Sequence, residues 1–279
     1  MPRILIAEGN TPELLQGRTE AGLPWTAEAY GAALAVFDPE VEVTVTRPYF
    51  DGWDLDALDM AGFDGLAVTG SGVSWSGADA RARPFWALYE KAFAASVPAL
   101  GCCWGMQTAA VVLGGDTAAG PNGVEAGFAR GVTLTEAGAA HPLHAGRARV
   151  FDVLCMHRDD VTRLPEGAVV TASNAHTEVQ GMVYEQGGTR FWGLQYHPEI
   201  TLHDVAWYFQ RSEGAFAPLK ISLAAAAAEL TRIAEAPAAD PALSARYGID
   251  ATITDRQRHG VELGNWLRMA VAAPQPAED

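Results

Sequence analysis

Two segments far apart in the chain, Gly101-Cys102-Cys103-Trp104-Gly105 and Gln195-Tyr196-His197-Pro198-Glu199, supply a thiol, an imidazole and a carboxylate. Those three groups are the parts of an acyl-transfer triad, in which a base activates a nucleophile and an acid orients the base. The first segment follows an apolar run, Val97-Pro98-Ala99-Leu100, and precedes a helical stretch. Its Gly-x-Cys-x-Gly pattern is the thiol counterpart of the serine elbow, where flanking glycines permit a sharp strand-to-helix turn that lifts the nucleophile above a sheet. Only Cys103 has a glycine two residues away on each side. Cys102 is expected to point back into the sheet as a small apolar residue.

A free thiol has a pKa of about 8.5, so only a few per cent is thiolate at neutral pH. His197 beside Cys103 would hold the thiolate as an ion pair, and the N-terminus of a helix beginning near Trp104 would add partial positive charge. Glu199 would orient His197 and favour its protonated form, with Pro198 fixing the backbone between them. The tetrahedral intermediate of such a reaction needs hydrogen-bond donors for its oxyanion. The Trp104 N–H is one candidate, and the loop Gly70-Ser71-Gly72 offers the N–H of Gly70 or Ser71. That loop is no dinucleotide fingerprint, because Trp75 stands where its third glycine belongs, and the chain has no Gly-Lys-Ser/Thr phosphate loop. His141, His144 and His203 lack a Cys or carboxylate at a recognisable ligand spacing, so no metal site is expected.

Four blocks in one order, Thr69-Gly70-Ser71-Gly72, Pro98 through Gln107, His157-Arg158-Asp159-Asp160-Val161 and Gln195 through Glu199, resemble the class I glutamine amidotransferases with a Cys-His-Glu triad. The resemblance runs from about Ile4 to Glu199. It implies a flavodoxin-like α/β fold, a three-layer sandwich with a mostly parallel central sheet, and cofactor-free hydrolysis of the γ-amide of glutamine through a cysteinyl thioester. It also implies that the Gly70-Ser71 loop supplies the second oxyanion donor; Gly72 and Val73 stand where the family often has proline. Gln107 lies one helical turn after Cys103 and shares its face. In the family a glutamine at that position contacts the amino-acid end of the substrate. His157 and Asp159 fall in the second substrate block, where the Asp159 carboxylate would suit a substrate ammonium; Arg158 replaces the glycine of many members. Glutamine or another γ-glutamyl compound is the implied substrate. Ammonia usually passes to a synthetase domain or subunit, and no such domain is visible, which leaves a separate synthetase partner or a stand-alone enzyme. A γ-glutamyl peptidase or transferase would use the same triad on a different leaving group. A degenerate binding module is opposed by the intact Cys, His and Glu.

The elements that must position these groups can be read from periodicity. Arg3–Ala7, Val41–Thr46, Phe63–Thr69 and Pro98–Cys102 read as buried strands, with helices over Thr26–Phe37, Pro84–Ala95 and Trp104–Leu113 between them. This alternation predicts a parallel sheet covered on both faces. From Gly131 to Gln195 shorter strands separated by turns predict an antiparallel or mixed extension. After Ile200 helices are expected over Asp204–Arg211, Leu219–Ala234 and Asp255–Val271, with a frayed tail from Pro274. The chain divides into residues 1–203 and a C-terminal helical extension, 204–279, read as a packed cap or as a docking surface or lid.

Composition narrows the function class. Of 279 residues 49% are hydrophobic, which suits a globular protein with a full core. The net charge of −15, with Lys91 and Lys220 as the only lysines, argues against nucleic acid and anionic membrane as partners. No apolar stretch of about 18 residues occurs, and the run Ile4-Leu5-Ile6-Ala7 is too short for a signal peptide. Three cysteines, two of them adjacent, make no disulfide framework and suit a reducing cytoplasm.

Overall fold

The computed structural model describes residues 1–211 and 222–272. The start of the expected Leu219–Ala234 helix and the tail from Pro274 lie outside the described residues. Eleven strands occur among the described residues: β1 (Arg3–Ala7), β2 (Glu42–Thr46), β3 (Gly65–Val68), β4 (Ala99–Cys102), β5 (Asp116–Ala119), β6 (Glu125–Leu134), β7 (Val150–His157), β8 (Asp159–Arg163), β9 (Val169–Ser173), β10 (Gly181–Gln186) and β11 (Thr189–Leu194). Nine form one sheet in the order β2-β1-β3-β4-β11-β10-β9-β6-β7, and β5 pairs with β8 in a small second sheet. The first five in that order are parallel, with Val68 opposite Gly101 and Leu194 opposite Cys102. From β10 onward every pairing is antiparallel. The fold is therefore the expected three-layer α/β sandwich with an antiparallel extension.

Burial explains the layering. Every residue of β3 and β4 is buried, as a central parallel strand covered on both faces requires. After α1 (Pro12–Glu20), one face is covered by α2 (Thr26–Ala35) and, from the far end of the chain, by α11 (Val261–Ala272). Tyr30 and Leu34 of α2 and Leu263, Trp266 and Leu267 of α11 share one core with Ile4 and Ile6. A side chain on Gly65 of β3 would stand 2.8 Å from the Trp266 ring, so this glycine makes room for the indole. The opposite face carries α3 (Arg83–Ala94) and α4 (Trp104–Val112), whose Phe85, Leu88, Tyr89 and Met106 pack on Leu5, Leu66 and Phe191.

A short α5 (Glu136–Ala140) packs on β9, and a third cluster joins α6 (Leu202–Arg211) to α7 (Leu223–Glu235). Val205 and Phe209 of α6, Ala227, Leu230 and Ile233 of α7, and Ile249 and Ile253 further on bury one another against Leu154 of β7. The last stretch is α8 (Pro241–Arg246), α9 (Ala251–Thr254), α10 (Arg256–His259) and α11. The single helix expected over Asp255–Val271 is thus interrupted at Gly260. A side chain there would crowd Phe37, 3.2 Å away, and the Pro198 carbonyl, also at 3.2 Å, so the break keeps the chain close to both. No helix of the described residues is long and apolar enough to cross a membrane.

Candidate active site

The site lies where the parallel strands end, at the carboxyl edge of the sheet, the usual place for ligands in open α/β folds. Glu8 and Asn10 follow β1, Gly70 follows β3, Cys103 follows β4 and His197 follows β11.

Cys103 is the single residue between β4 and α4, and its backbone has φ +51°. Only Ser96 and Cys103 among described non-glycine residues have positive φ. A conformation of this kind costs roughly 1–3 kcal/mol and persists where surrounding structure imposes it. The imposing contacts are visible. The Cys103 N–H donates to the Leu194 carbonyl at 2.7 Å, locking the elbow to β11. A side chain on Gly101 would stand 2.6 Å from the Gly105 backbone, and one on Gly105 would strike the Val68 carbonyl. Both glycines are required for helix α4 to rise directly off the sheet. Cys102 points the other way, with its sulfur 3.3 Å from the Tyr30 hydroxyl in the core.

His197 is brought to the elbow by β11 and by its own N–H, which donates to Leu154 O at 2.9 Å. Its Nδ1 donates to Glu199 Oε1 at 2.7 Å, and Cys103 lies near enough to act on its charge. Cys103, His197 and Glu199 are all buried. Burial alone would disfavour the imidazolium, but the adjoining Glu199 and Cys103 outweigh it and hold the His197 pKa well above its usual value. The Cys103 sulfur lies 3.4 Å from the Met156 carbonyl.

The loop after β3 reaches both groups. A Cβ on Gly70 would stand 2.6 Å from His197 Cε1 and 3.5 Å from Cys103 Cβ. The Trp104 N–H is the first of helix α4 and has no acceptor within the helix. The loop is fastened by side chains. Asn10 Oδ1 accepts from the Gly72 N–H at 2.9 Å, and Ser71 Oγ accepts from the Val73 N–H at 3.3 Å. Asn10 is itself held by Glu8 Oε1 and Thr26 Oγ1, at 3.0 and 2.9 Å. Glu8 is fully buried, and burial raises its pKa despite bonds from the N–H groups of Ala27 and Asn10. Sequence reasoning passed over Glu8 and Asn10. Their signal was present, as polar residues placed directly after an apolar strand.

Cys103 opens into a cavity of about 540 Å³, whose walls include Trp75, Trp104, Gln107, Asp159, Trp207 and Tyr208. Gln107, one turn along α4, donates to the Asp159 carbonyl at 2.7 Å and is thereby aimed at the β8 end of the cavity. His157 is buried between Glu125 Oε2 at 2.9 Å and Asp160 Oδ1 at 3.2 Å. Burial opposes its charge, yet these two carboxylates raise its pKa to about 9. The Asp159 carboxylate is gripped by its neighbour: Arg158 donates to Oδ1 and Oδ2 at 2.7 and 2.8 Å and reaches Ser74 O at 2.9 Å. Arg158 thus offsets the Asp159 charge and ties it to the loop after β3. A second chamber of about 50 Å³ lies on the other side of Cys103, bordered by Gly70, His197, Glu199, Arg18, Asp204 and Tyr208.

Glu125, Cys155 and His157 come within reach of a common ion among the described residues. Glu125 and His157 Nε2 are engaged with each other at 2.9 Å, and Glu125 also accepts from Asn174 and Gln180, each at 2.7 Å.

The C-terminal helices also enter the site from behind. Arg256 donates to the carbonyls of Glu199 and Ile200, both at 2.8 Å, and His259 Nε2 donates to the His197 carbonyl at 3.0 Å. No local pattern in the sequence marks either residue, because their partners lie far away in the chain.

Comparison with known proteins identifies the family. The family model for glutamine amidotransferase class-I matches residues 35–211. A γ-glutamyl-L-1-hydroxyisopropylamide hydrolase from a Pseudomonas species is 36% identical over 216 residues, covering 75% of this chain and 72% of that protein. A glutamine-hydrolysing GMP synthase from Pectobacterium carotovorum is 35% identical over 155 residues, 53% of this chain, which spans only 28% of the synthase's length. In fold, the chain is similar to a glutamine amidotransferase from Thermotoga maritima, with a TM-score of 0.64 at 18% identity over 98% of this chain and 99% of that one. It is also similar to one from Methylobacillus flagellatus, with a TM-score of 0.62 at 18% identity over 100% and 98% of the two chains. The chain belongs to the class I glutamine amidotransferase family.

Proposed function

We propose that this chain hydrolyses γ-glutamyl amides through a thioester on Cys103, the γ-amide of glutamine being the simplest of them. The carrying observation is the buried imidazole of His197, hydrogen-bonded to Glu199 and gathered with Cys103 around Gly70. The Cys103 thiolate attacks the γ-carbonyl carbon. The oxyanion that forms is met by the N–H of Trp104 and by that of Gly70 or Ser71. The C–N bond then breaks as His197 gives its proton to the departing nitrogen, leaving a γ-glutamyl thioester. Water, losing a proton to His197, attacks the thioester; glutamate leaves and the thiolate returns. Gln107, His157 and Asp159 form the end of the cavity that takes the amino-acid part of the substrate. Free thiols of this kind suit a reducing cytoplasm.

Incubation with a glutamine-like chloroketone followed by peptide mass mapping tests this reading. Labelling confined to Cys103, and blocked by glutamine, is expected; labelling elsewhere, or no protection, overturns it. Gly70→Ala gives a second check. Its new methyl would press on the His197 ring, so kcat is expected to fall about 100-fold, the scale of a misplaced catalytic group.

The size and lining of the cavity favour a second reading, in which the leaving nitrogen carries a carbon substituent. Ammonia needs no apolar wall. Tyr208 borders both the small chamber beside His197 and the large cavity, and beyond it the large cavity is walled by Leu14 and Trp207. The Pseudomonas relative is named for a substituted γ-glutamyl amide. Under this reading kcat/KM for an N-alkyl γ-glutamyl amide exceeds that for glutamine by about 10-fold or more, the effect of one or two methylenes in an apolar pocket. Under the first, glutamine is the better substrate and the ammonia passes to an acceptor, for example on a separate synthetase.

A further inference from the structure

The segment from Gln195 to Ile200 follows the last strand of the parallel core, is not itself a strand, and is buried throughout. Irregular buried backbone needs hydrogen-bond partners, because an unpaired buried carbonyl costs roughly 1–3 kcal/mol. For three of its carbonyls those partners come from one short stretch near the far end of the chain. Arg256 spans two carbonyls, those of Glu199 and Ile200, with the two ends of its guanidinium fork. His259 is fully buried, and burial with the nearby Arg147 and Arg256 lowers its pKa to about 3. It is thus a neutral ring with one N–H, and that N–H is spent on the His197 carbonyl. Gly260 passes the Pro198 carbonyl so closely that a methyl there would come to 3.2 Å. Glu262 accepts from the Tyr196 hydroxyl at 2.9 Å. The stretch is itself anchored by Arg147, which donates to the carbonyls of Arg258 and His259 and to Glu262. Every residue from Tyr196 to Ile200 is thus touched by residues 256–262, which lie beyond the part of the chain matched to the family.

We propose that the C-terminal helices are a built-in clamp that sets the geometry of the His197–Glu199 pair, with Arg256 and His259 as positioning residues. The proposal rests on the hydrolase reading only for its rate measurements. Of the three carbonyls gripped by Arg256 and His259, two belong to the base and the acid themselves. A shift in either backbone changes the direction of the 2.7 Å bond between His197 and Glu199 and the approach of His197 to Cys103. The clamp also makes this geometry a property of the single chain, without a partner subunit.

The test uses the full chain, with kcat expressed per Cys103 titrated by chloroketone. Arg256→Ala is expected to lower kcat about 100-fold with KM changed by less than about threefold, because the reacting groups are misaligned while the substrate cavity stands. Arg256→Lys, which keeps the charge and one donor, recovers about 10-fold of that loss. His259→Gln, a neutral donor, stays within about threefold of the parent, whereas His259→Leu loses about 10-fold, the worth of one buried hydrogen bond. A parental kcat in Arg256→Ala, a loss confined to KM, or equal rates for Gln and Leu at 259 overturns the proposal. If Arg256→Ala does not fold, the pair at 259 decides. If the parent cleaves no γ-glutamyl amide, the hydrolase reading fails on its own, and the rate of Cys103 alkylation by iodoacetamide becomes the readout: slower in His259→Leu than in His259→Gln supports the clamp, and equal rates sink it.

Discussion

Cys103→Ser is expected to lower kcat for γ-glutamyl amides by about 10⁴-fold or more, the scale seen when the nucleophile of a triad is removed. The substitution changes little else. The side chain is slightly smaller, and the elbow is held by backbone contacts, from the Cys103 N–H to Leu194 O and from Gly101 and Gly105 to their neighbours, none of which uses the sulfur. The reason for the loss is electronic. His197 is held protonated by Glu199 and by the sulfur beside it. A serine hydroxyl ionises far less readily than a thiol, so it forms no ion pair with that imidazolium, and the imidazolium has no capacity to take its proton. One of the causes that raise the His197 pKa disappears with the sulfur, but the Glu199 carboxylate, which outweighs the opposing effect of burial, remains. The measurement is kcat alongside the urea unfolding midpoint. A silent enzyme with the parental midpoint is expected, and a variant keeping more than about a hundredth of the parental rate would show that another group performs the attack.

Much of this machinery was legible in the sequence because its signals are local. The elbow is written in five residues, and the two glycines around Cys103 are required by close approaches to Gly105 and Val68 that only a bare backbone permits. The central strands announced themselves as apolar runs because both of their faces are covered. Other features depend on contacts that no window along the chain contains. Helix α1, Pro12–Glu20, was missed because its apolar Leu14 and Leu15 are adjacent and Gly17 follows, so no helical stripe forms. The stretch His157–Val161 was read as a substrate block, and strand β8 (Asp159–Arg163), which pairs with the short β5, was not recognised there. The fate of Asp159 was hidden for a different reason. Its partner is the adjacent Arg158, and whether neighbouring side chains meet or diverge depends on backbone direction. The final helix was read as continuous, yet the chain breaks at Gly260 to let Arg256 and His259 face the catalytic segment. Cys103, His197 and Glu199 could be singled out from the sequence; what holds their backbone still could not.

Glu199→Gln is the second variant expected to have a large effect, about 10³- to 10⁴-fold in kcat, by analogy with the loss of charge at the third member of other triads. Glu199 is almost fully buried and spends Oε1 on His197 Nδ1. An ionised carboxylate in that place does two things. It accepts from Nδ1–H, which leaves Nε2 directed toward Cys103, and its charge offsets the penalty that burial places on the imidazolium. The amide of glutamine supplies no charge. It also brings an NH₂ group that can turn toward Nδ1 and favour the wrong tautomer, with the remaining proton on Nε2. Both effects lower the His197 pKa, so the proton needed by the departing nitrogen is lost at a lower pH. The sign is therefore definite: in Glu199→Gln the alkaline limb of the kcat/KM profile moves toward lower pH, while the parent keeps its rate above the ordinary histidine range. Because the fork of Arg256 grips the Glu199 backbone carbonyl and not its carboxylate, the segment keeps its path in this variant. Arg256→Ala displaces the carboxylate and Glu199→Gln discharges it in place. Combined in one chain, the two should lose less than the product of their separate effects, since both act on the same bond to His197. Strictly multiplicative losses would mean that the clamp and the carboxylate serve the reaction by separate routes.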